Sequence, residues 1–243
     1  MSDIHDINLW YETNPSLGIR LAERTIEAEL GETDAKKIDF NIQRLGLWIR
    51  ENQQSAILKP DWDKTLVHKL PEFTGKMHVG IKYAKAGESV SVAIAVKTKD
   101  ARIFVEVVNR LMVRDGIDWI IGFLQKNKSK IYKVIVDGDN GKEIIEDAMK
   151  AHKLKGCIIP KVQDIKKANA TFEKLIYDRI LCRMEQPSLT QVVTNCTKRA
   201  IGSNGGFGYQ AIYENMDISL LDSVMLASWS ATEHPDPKPQ RML

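Results

Sequence analysis

Two carboxylates close an apolar run in "KIYKVIVDGDNGKEIIEDAMK", residues 130–150. Ile131 to Val136 read as a buried strand, followed by Asp137, Gly138 and Asp139 and a turn at Asn140-Gly141 into a helical pattern. A carboxylate in that place has two uses. It can offer hard oxygen ligands to a divalent cation, or it can bond the local backbone amides of a turn. A strand buried on both faces is central in its sheet, and ligands in open α/β sheets bind outside the carboxyl ends of the strands. Chemistry at Asp137 is therefore a real alternative to a plain turn. The string "DGDNG" is not an EF-hand loop, because that pattern needs glycine at its sixth position and glutamate at its twelfth. Lys142 and Ala148 stand there.

A second carboxylate, Asp222, lies in "DISLLDSVMLASW" among Ile218, Leu221, Met225 and Trp229 at helical spacing. An aspartate beside an apolar stripe costs stability unless something pairs with it. A cation shared with Asp137 would do that; an ordinary surface salt bridge is the plainer reading. Asp217 suits a helix N-cap better than a ligand.

Other chemistries find no support. There is no G-x-x-x-x-G-K-[ST] loop, since "GDNGKE" puts glutamate where serine or threonine is required. There is no G-x-S-x-G elbow. Cys157, Cys182 and Cys196 lack metal-ligand spacing and read as reduced thiols. His78 and His152 sit in no ligand pattern and are expected to be structural.

The elements that must position these groups follow from periodicity. The 243 residues are 43% hydrophobic and 28% charged, with a net charge of +3, which describes a globular chain without a bulk electrostatic signature for nucleic acid. No apolar run reaches the roughly 18 residues of a membrane span, and the N-terminus lacks a signal-peptide core. Residues 1–60 read as a helical segment, with helices over Leu21–Leu30 and Ala35–Ile49 and Trp10, Leu45, Leu47 and Trp48 as anchors. Residues 61–75 read as an irregular connection, within the proline-containing stretch "AILKPDWDKTLVHKLPEFTG". Residues 76–232 form the α/β body. "MHVGIKYA", "SVSVAIAVKT" and "RIFVEVVNR" are strands joined by hairpins. A helix over Ile117–Gln125, capped by Asp115, precedes the strand Ile131–Val136. Helix Lys142–His152, a short strand "GCIIP" and a long helix Asp164–Leu181 come next. A helix from Ser188-Leu189, a glycine-rich hairpin, and a helix from Asp217 or Ser219 to about Trp229 complete the body. Residues 233–243, rich in proline, read as a disordered tail. Three antiparallel strands followed by alternating strands and helices give an α/β fold: a ribonuclease H-like mixed sheet flanked by helices, with a helical N-terminal segment.

Taken together, the segments resemble the C-terminal nuclease part of the large terminase subunit of tailed bacteriophages. "LWYETNPSLG" is similar to the segment after the family's packaging ATPase, and "FNIQRLGLW" to the helix leading into its nuclease domain. "VIVDGDNG" takes the place of the second acidic strand. "LTQVVTNCTKRAIGSNGGFGYQ" looks like the late helix and basic hairpin, and "DISLLDSVMLASW" like the final helix with its third acidic residue. The ATPase is not expected within these residues, so the chain reads as a separated domain or gene product.

The resemblance implies a metal-dependent endonuclease that cuts concatemeric DNA with little sequence specificity. Its logic is two-metal hydrolysis, with carboxylates holding Mg2+ or Mn2+ ions about 3.5–4 Å apart. Asp137 matches the second acidic position and Asp222 the third. The implied partners are double-stranded DNA, the terminase ATPase domain, the small terminase subunit and the portal protein, in the host bacterial cytoplasm and with no membrane. The first acidic position departs from the family pattern: "VGIKYA" places Lys82 there. Either Asp139, Glu88 or Glu106 supplies the missing carboxylate, or one ion works with Lys82 as a fixed positive charge on the phosphate, or the site is degenerate and the domain docks DNA or the portal without cutting. Without metal, Lys82 is expected to pair with Asp137 or Asp222, because in this fold its strand lies beside that of Asp137. Three or more carboxylates converging near Asp137 favour the enzyme; two flanking Lys82 favour docking or one-ion chemistry. Lys198 and Arg199, which open the glycine-rich hairpin, are the expected DNA contacts.

Overall fold

The computed structural model describes residues 55–85, 87–139, 141–202, 205–213 and 216–234. The expected N-terminal helices with their tryptophan and leucine anchors, the turn residue Asn140 and all but the first two residues of the expected tail lie outside these.

A six-stranded mixed sheet organises the described chain. β1 (Met77–Tyr83), β2 (Ser89–Lys97) and β3 (Ile103–Met112) form an antiparallel meander. β4 (Ile131–Asp137) pairs parallel with β1, and β5 (Cys157–Ile158) with β4. β6 (Leu181–Arg183) pairs parallel with β3, giving the order β5-β4-β1-β2-β3-β6. The first five strands lie in the expected ribonuclease H-like arrangement, and β1 is central.

Each sheet face is covered. Val79, Ile81 and Tyr83 of β1 pack with α2 (Asp118–Lys126) and α3 (Lys142–Ala151) through Ile120, Leu124, Ile145 and Met149. The opposite face carries α4 (Val162–Tyr177), α5 (Pro187–Val193) and α6 (Ser219–Glu233). α6 is buried almost all round and lies directly on β1 and β2. The sheet accepts it closely because both surfaces are small there. A Cβ on Gly80 would land on the Ser223 carbonyl oxygen and 2.8 Å from the Ala227 amide nitrogen. One alternation up the strand, His78 Nδ1 meets Ser230 Oγ at 2.8 Å. His152 bonds Gln125 at 2.9 Å, so both histidines have structural partners.

Several expectations shift. The long helix stops at Tyr177 rather than Leu181, and Leu181 begins β6, a strand absent from the sequence reading. Arg179 takes a left-handed φ of 59°, which ends the helix where glycine usually does. Asp115 does not cap α2; it lies in a 3-10 turn, Val113–Asp115, and Ile117 precedes the helix. On α3, Ile145 and Met149 carry the packing and Ile144 is exposed. The proline-rich stretch before β1 is firmly packed. Its short α1 (Lys59–Asp63) buries Trp62 against Phe172, with the indole N–H donating to Thr190 at 3.1 Å. Buried Arg183 stacks on Trp62 at 4.4 Å and holds the same segment to β6. Among the described residues no helix is long and apolar enough to cross a membrane.

Candidate active site

Strand register sets the site. Lys82 on β1 is the partner of Asp137 on β4 and of Ser91 on β2, and Ser91 is the partner of Arg110 on β3. Asp137, Lys82, Ser91 and Arg110 thus form one row across four strands. α6 enters over this row with its N-terminal turn. Lys82 Nζ lies 2.5 Å from Asp137 Oδ2 and 3.8 Å from Asp222 Oδ2. The three side chains are 21%, 23% and 17% exposed, so the cluster is partly sheltered from solvent.

The turn after β4 is held by packing. Gly138 has φ +116°, and a Cβ there would lie 2.7 Å from Tyr83 Cβ. Gly141 leaves no room for a Cβ beside the Tyr83 ring. The chain therefore wraps Tyr83, on the far side of β1 from Lys82, which fixes where Asp137 ends.

A second polar group continues the row toward β3. Arg110 Nε meets Asp217 Oδ2 at 3.0 Å, and Ser89 Oγ donates to the same oxygen at 2.7 Å. The Ser219 amide donates to Asp217 Oδ1 at 2.7 Å, and Ser91 and Ser219 hydroxyls share a bond of 2.6 Å. Asp217 is not the N-cap expected of it: Ile218 takes that position, and Asp217, one residue before it, accepts the Ser219 amide while also neutralising Arg110. Beyond Arg110 a cleft of about 490 Å³ opens, lined by Ser89, Asn109, Gln186 and Leu220 among others; neither Asp137 nor Asp222 lines it.

Electrostatics follow from this crowding. Burial would lower the Lys82 ammonium, but the charges of Asp222 and Asp137 outweigh it and hold its pKa above the usual lysine value. Burial pushes the Asp222 carboxyl up to about 6; Lys82 opposes the rise, and Asp137 and Asp217 add to it. Asp222 thus binds its proton more tightly folded than unfolded. Stability should fall as pH rises from about 4 to about 6, by about 2–3 kcal/mol from this residue. Asp222→Asn, measured in chelator by urea melts, is expected to be the more stable protein at pH 7.5 and to lose that advantage below pH 4. Equal pH profiles for the two would show that Asp222 is not a strained carboxylate.

The sequence candidates divide. Lys82, Asp137 and Asp222 come together. Asp139 does not join them: its side chain is 93% exposed and pairs with Lys142 at 2.5 Å, whose hydrogen bond holds the carboxyl below its usual range. Glu106 pairs with Ile94, on the α2 and α3 side of the sheet. Glu88 is exposed in the β1–β2 connection. The hairpin of β7 (Cys196–Ile201) and β8 (Gly206–Ala211) separates its two basic residues. Lys198 pairs with Glu173 of α4 at 2.6 Å and lies over the Phe207 ring. Arg199 donates to the Tyr209 carbonyl at 3.3 Å, and its charge is felt at both Lys82 and Asp222. Arg110, Ser89, Ser91 and Ser219 were not anticipated from the sequence. Among the described residues no group of three or more acidic, histidine or cysteine side chains could hold a metal. All three thiols are free, and burial raises Cys157 and Cys182 to about 11 and Cys196 to about 12.

A family model described as terminase large subunit, endonuclease domain, matches residues 1–179. No curated protein matches the chain. Among solved structures, the large terminase of bacteriophage HK97 is similar over 95% of this chain, with 15% identity and a TM-score of 0.55. This chain spans only 55% of that protein's length. The large terminase nuclease of thermophilic phage G20c, solved with bound magnesium, has a TM-score of 0.52 at 12% identity. That match covers 73% of this chain and 97% of the nuclease. A second structure of the G20c nuclease gives 0.51 at 13% identity, over 71% and 96% of the two chains.

Proposed function

Since the chain belongs to the family of terminase large subunit endonuclease domains, we propose that it hydrolyses phosphodiester bonds in duplex DNA at the Lys82–Asp137–Asp222 cluster, using one divalent cation. The observation that carries this reading is the cation already held there: an ammonium between two carboxylates of different elements. Their oxygens are hard donors of the kind that Mg2+ and Mn2+ prefer. Asp137 and Asp222 fit one such ion, completed by water and phosphate oxygens. Among the described residues no group of three or more acidic, histidine or cysteine side chains gathers to hold a second ion. When bound, the ion would polarise a phosphoryl oxygen and lower the pKa of water.

The chain's own groups have separable tasks. Asp137 and Asp222 neutralise positive charge and set its position against the sheet. Lys82 donates to a non-bridging phosphate oxygen, where a fixed positive charge lowers the cost of the developing charge. Arg199, on the hairpin, adds a second phosphate contact. Lys198 is already matched by Glu173 and contributes less. The biological setting proposed is cutting of concatemeric DNA during phage packaging, with little sequence specificity, in the host cytoplasm. The ATPase domain, small subunit and portal are its partners there.

Degradation of supercoiled plasmid tests the reading. Mg2+ and Mn2+ should support cutting, calcium less, because its looser geometry aligns an in-line attack poorly. Chelator should stop it. No cutting under any of these conditions would favour the second reading, a docking module for DNA or the portal, which the small number of converging carboxylates also fits. Arg199→Ala should flatten the salt dependence of DNA binding by up to about 0.9 in log–log slope. Lys198→Ala should flatten it less, and the reverse ranking would refute the assignment.

A further inference from the structure

We infer that Lys82 gates the cation: its ammonium closes the Asp137–Asp222 position in the free domain and is drawn off by a DNA phosphate, so that duplex DNA and the divalent ion bind cooperatively. The inference rests on the nuclease reading and adds a regulation to it.

The first ground is competition. Lys82 and Asp137 are register partners on neighbouring parallel strands, so their side chains meet without any loop movement. The ammonium touches Asp137 Oδ2 at 2.5 Å and reaches Asp222 Oδ2 at 3.8 Å. A divalent ion would need these same oxygens. With both present, three positive charges would face two negative ones in a partly buried space, where charges are weakly screened. One cation must leave, and only the lysine is tethered.

The second ground is mobility of the head group. Lysine carries a compact charge with three rotatable donors on a flexible four-carbon stem. Its Cα is fixed in β1, so the ammonium moves by rotamer change alone. The third ground is what would draw it. Arg199 opposes the charge on Lys82 even with the carboxylates present. Two cations set against each other are relieved by an anion between them, and a phosphate oxygen accepts strongly from both. DNA therefore pulls Lys82 away from the carboxylates and frees them for the ion. By linkage, the ion must raise DNA affinity by the same factor. A domain built this way loads its metal on DNA, which restrains cutting chemistry until substrate is seated.

Mn2+ binding, followed by calorimetry, tests this with the full chain alone and with a saturating phosphorothioate duplex, after subtraction of Mn2+ binding to the duplex. The parent protein should bind Mn2+ at least about fivefold more tightly with the duplex, within the usual range of coupling. Lys82→Gln should bind Mn2+ more tightly than the parent without DNA and gain less than the parent when DNA is added, since only phosphate ligation of the ion then couples the two. Lys82→Arg keeps the charge and guards against a folding defect in the glutamine variant. It should bind Mn2+ no more tightly than the parent without DNA. Equal enhancement in the parent and Lys82→Gln would mean that phosphate ligation of the ion accounts for all of the coupling, and overturns the gate. Mn2+ binding indifferent to DNA also overturns the gate while leaving the nuclease reading in place. No Mn2+ binding with or without DNA would remove both.

Discussion

Asp137→Ala is expected to reduce plasmid cutting by about 10²–10³-fold or more, the loss typical of removing one preorganised charge-stabilising group. The proposed function gives Asp137 two jobs that no neighbour is placed to take over. In the proposed function it would supply one of two carboxylates on the cation, and in the structure it holds Lys82 at 2.5 Å. Asp139 is two residues away but is exposed and tied to Lys142, so it is poorly placed to substitute. Asp137→Asn is the sharper variant, because the amide fills the same space at the end of β4 but carries no charge. Both should keep the far-ultraviolet dichroism of the parent, since Asp137 lies at a strand end rather than in a core cluster. Cutting within about tenfold of the parent would place the chemistry elsewhere and would leave the cluster as a structural ion pair.

The two acidic candidates were legible because each breaks an apolar pattern. Asp137 terminates the strand that begins at Ile131, and the pattern alone marks it as the carboxyl end of a strand inside the sheet, though β4 lies second from the edge rather than at the centre. Asp222 interrupts a helix that is buried nearly all round. Lys82 gave no such signal by itself; the resemblance pointed to its position, and the β1–β4 register places it there. The Lys198-Arg199 pair shows where a charge count misleads. Neighbouring residues on a strand point to opposite faces, so the two could not both look at the site, and only Arg199 is felt there. Arg110 was hidden for a different reason. The register of β3 shifts between the partners of Val92 and Ala93. A bulge of this kind flips the alternation. Val105 and Val107 face α6 before it and Arg110 after it, which a strict period of two cannot foresee. β6 was missed because Arg179 stands where a helix-ending glycine would have announced the stop.

Gly80→Ala is expected to damage both fold and function, because one glycine sets the distance between β1 and the helix carrying Asp222. A methyl group there would collide with backbone, the Ser223 carbonyl oxygen and the Ala227 nitrogen, not with a side chain that can turn away. α6 cannot yield locally, since Leu221, Val224 and Leu226 bury it on its other sides. Overpacking of this kind costs about 1–3 kcal/mol and sometimes more. For a domain of this size, about 3 kcal/mol lowers the melting temperature by roughly 6–12 °C. The displacement also reaches the site. Ser223 is the next residue after Asp222, so moving α6 off the sheet draws Asp222 away from Lys82, whose separation is already 3.8 Å. Cutting should therefore fall well below the parent at temperatures where Gly80→Ala is still folded. Gly122→Ala provides the contrast. It lies within α2 with open space around a would-be Cβ, and alanine there should raise stability by about 0.8–1 kcal/mol through helix propensity. A Gly80→Ala protein that melts with the parent and cuts at the parent's rate would mean that α6 does not seat on β1 as described, and that the meeting of Lys82, Asp137 and Asp222 is not set by this contact.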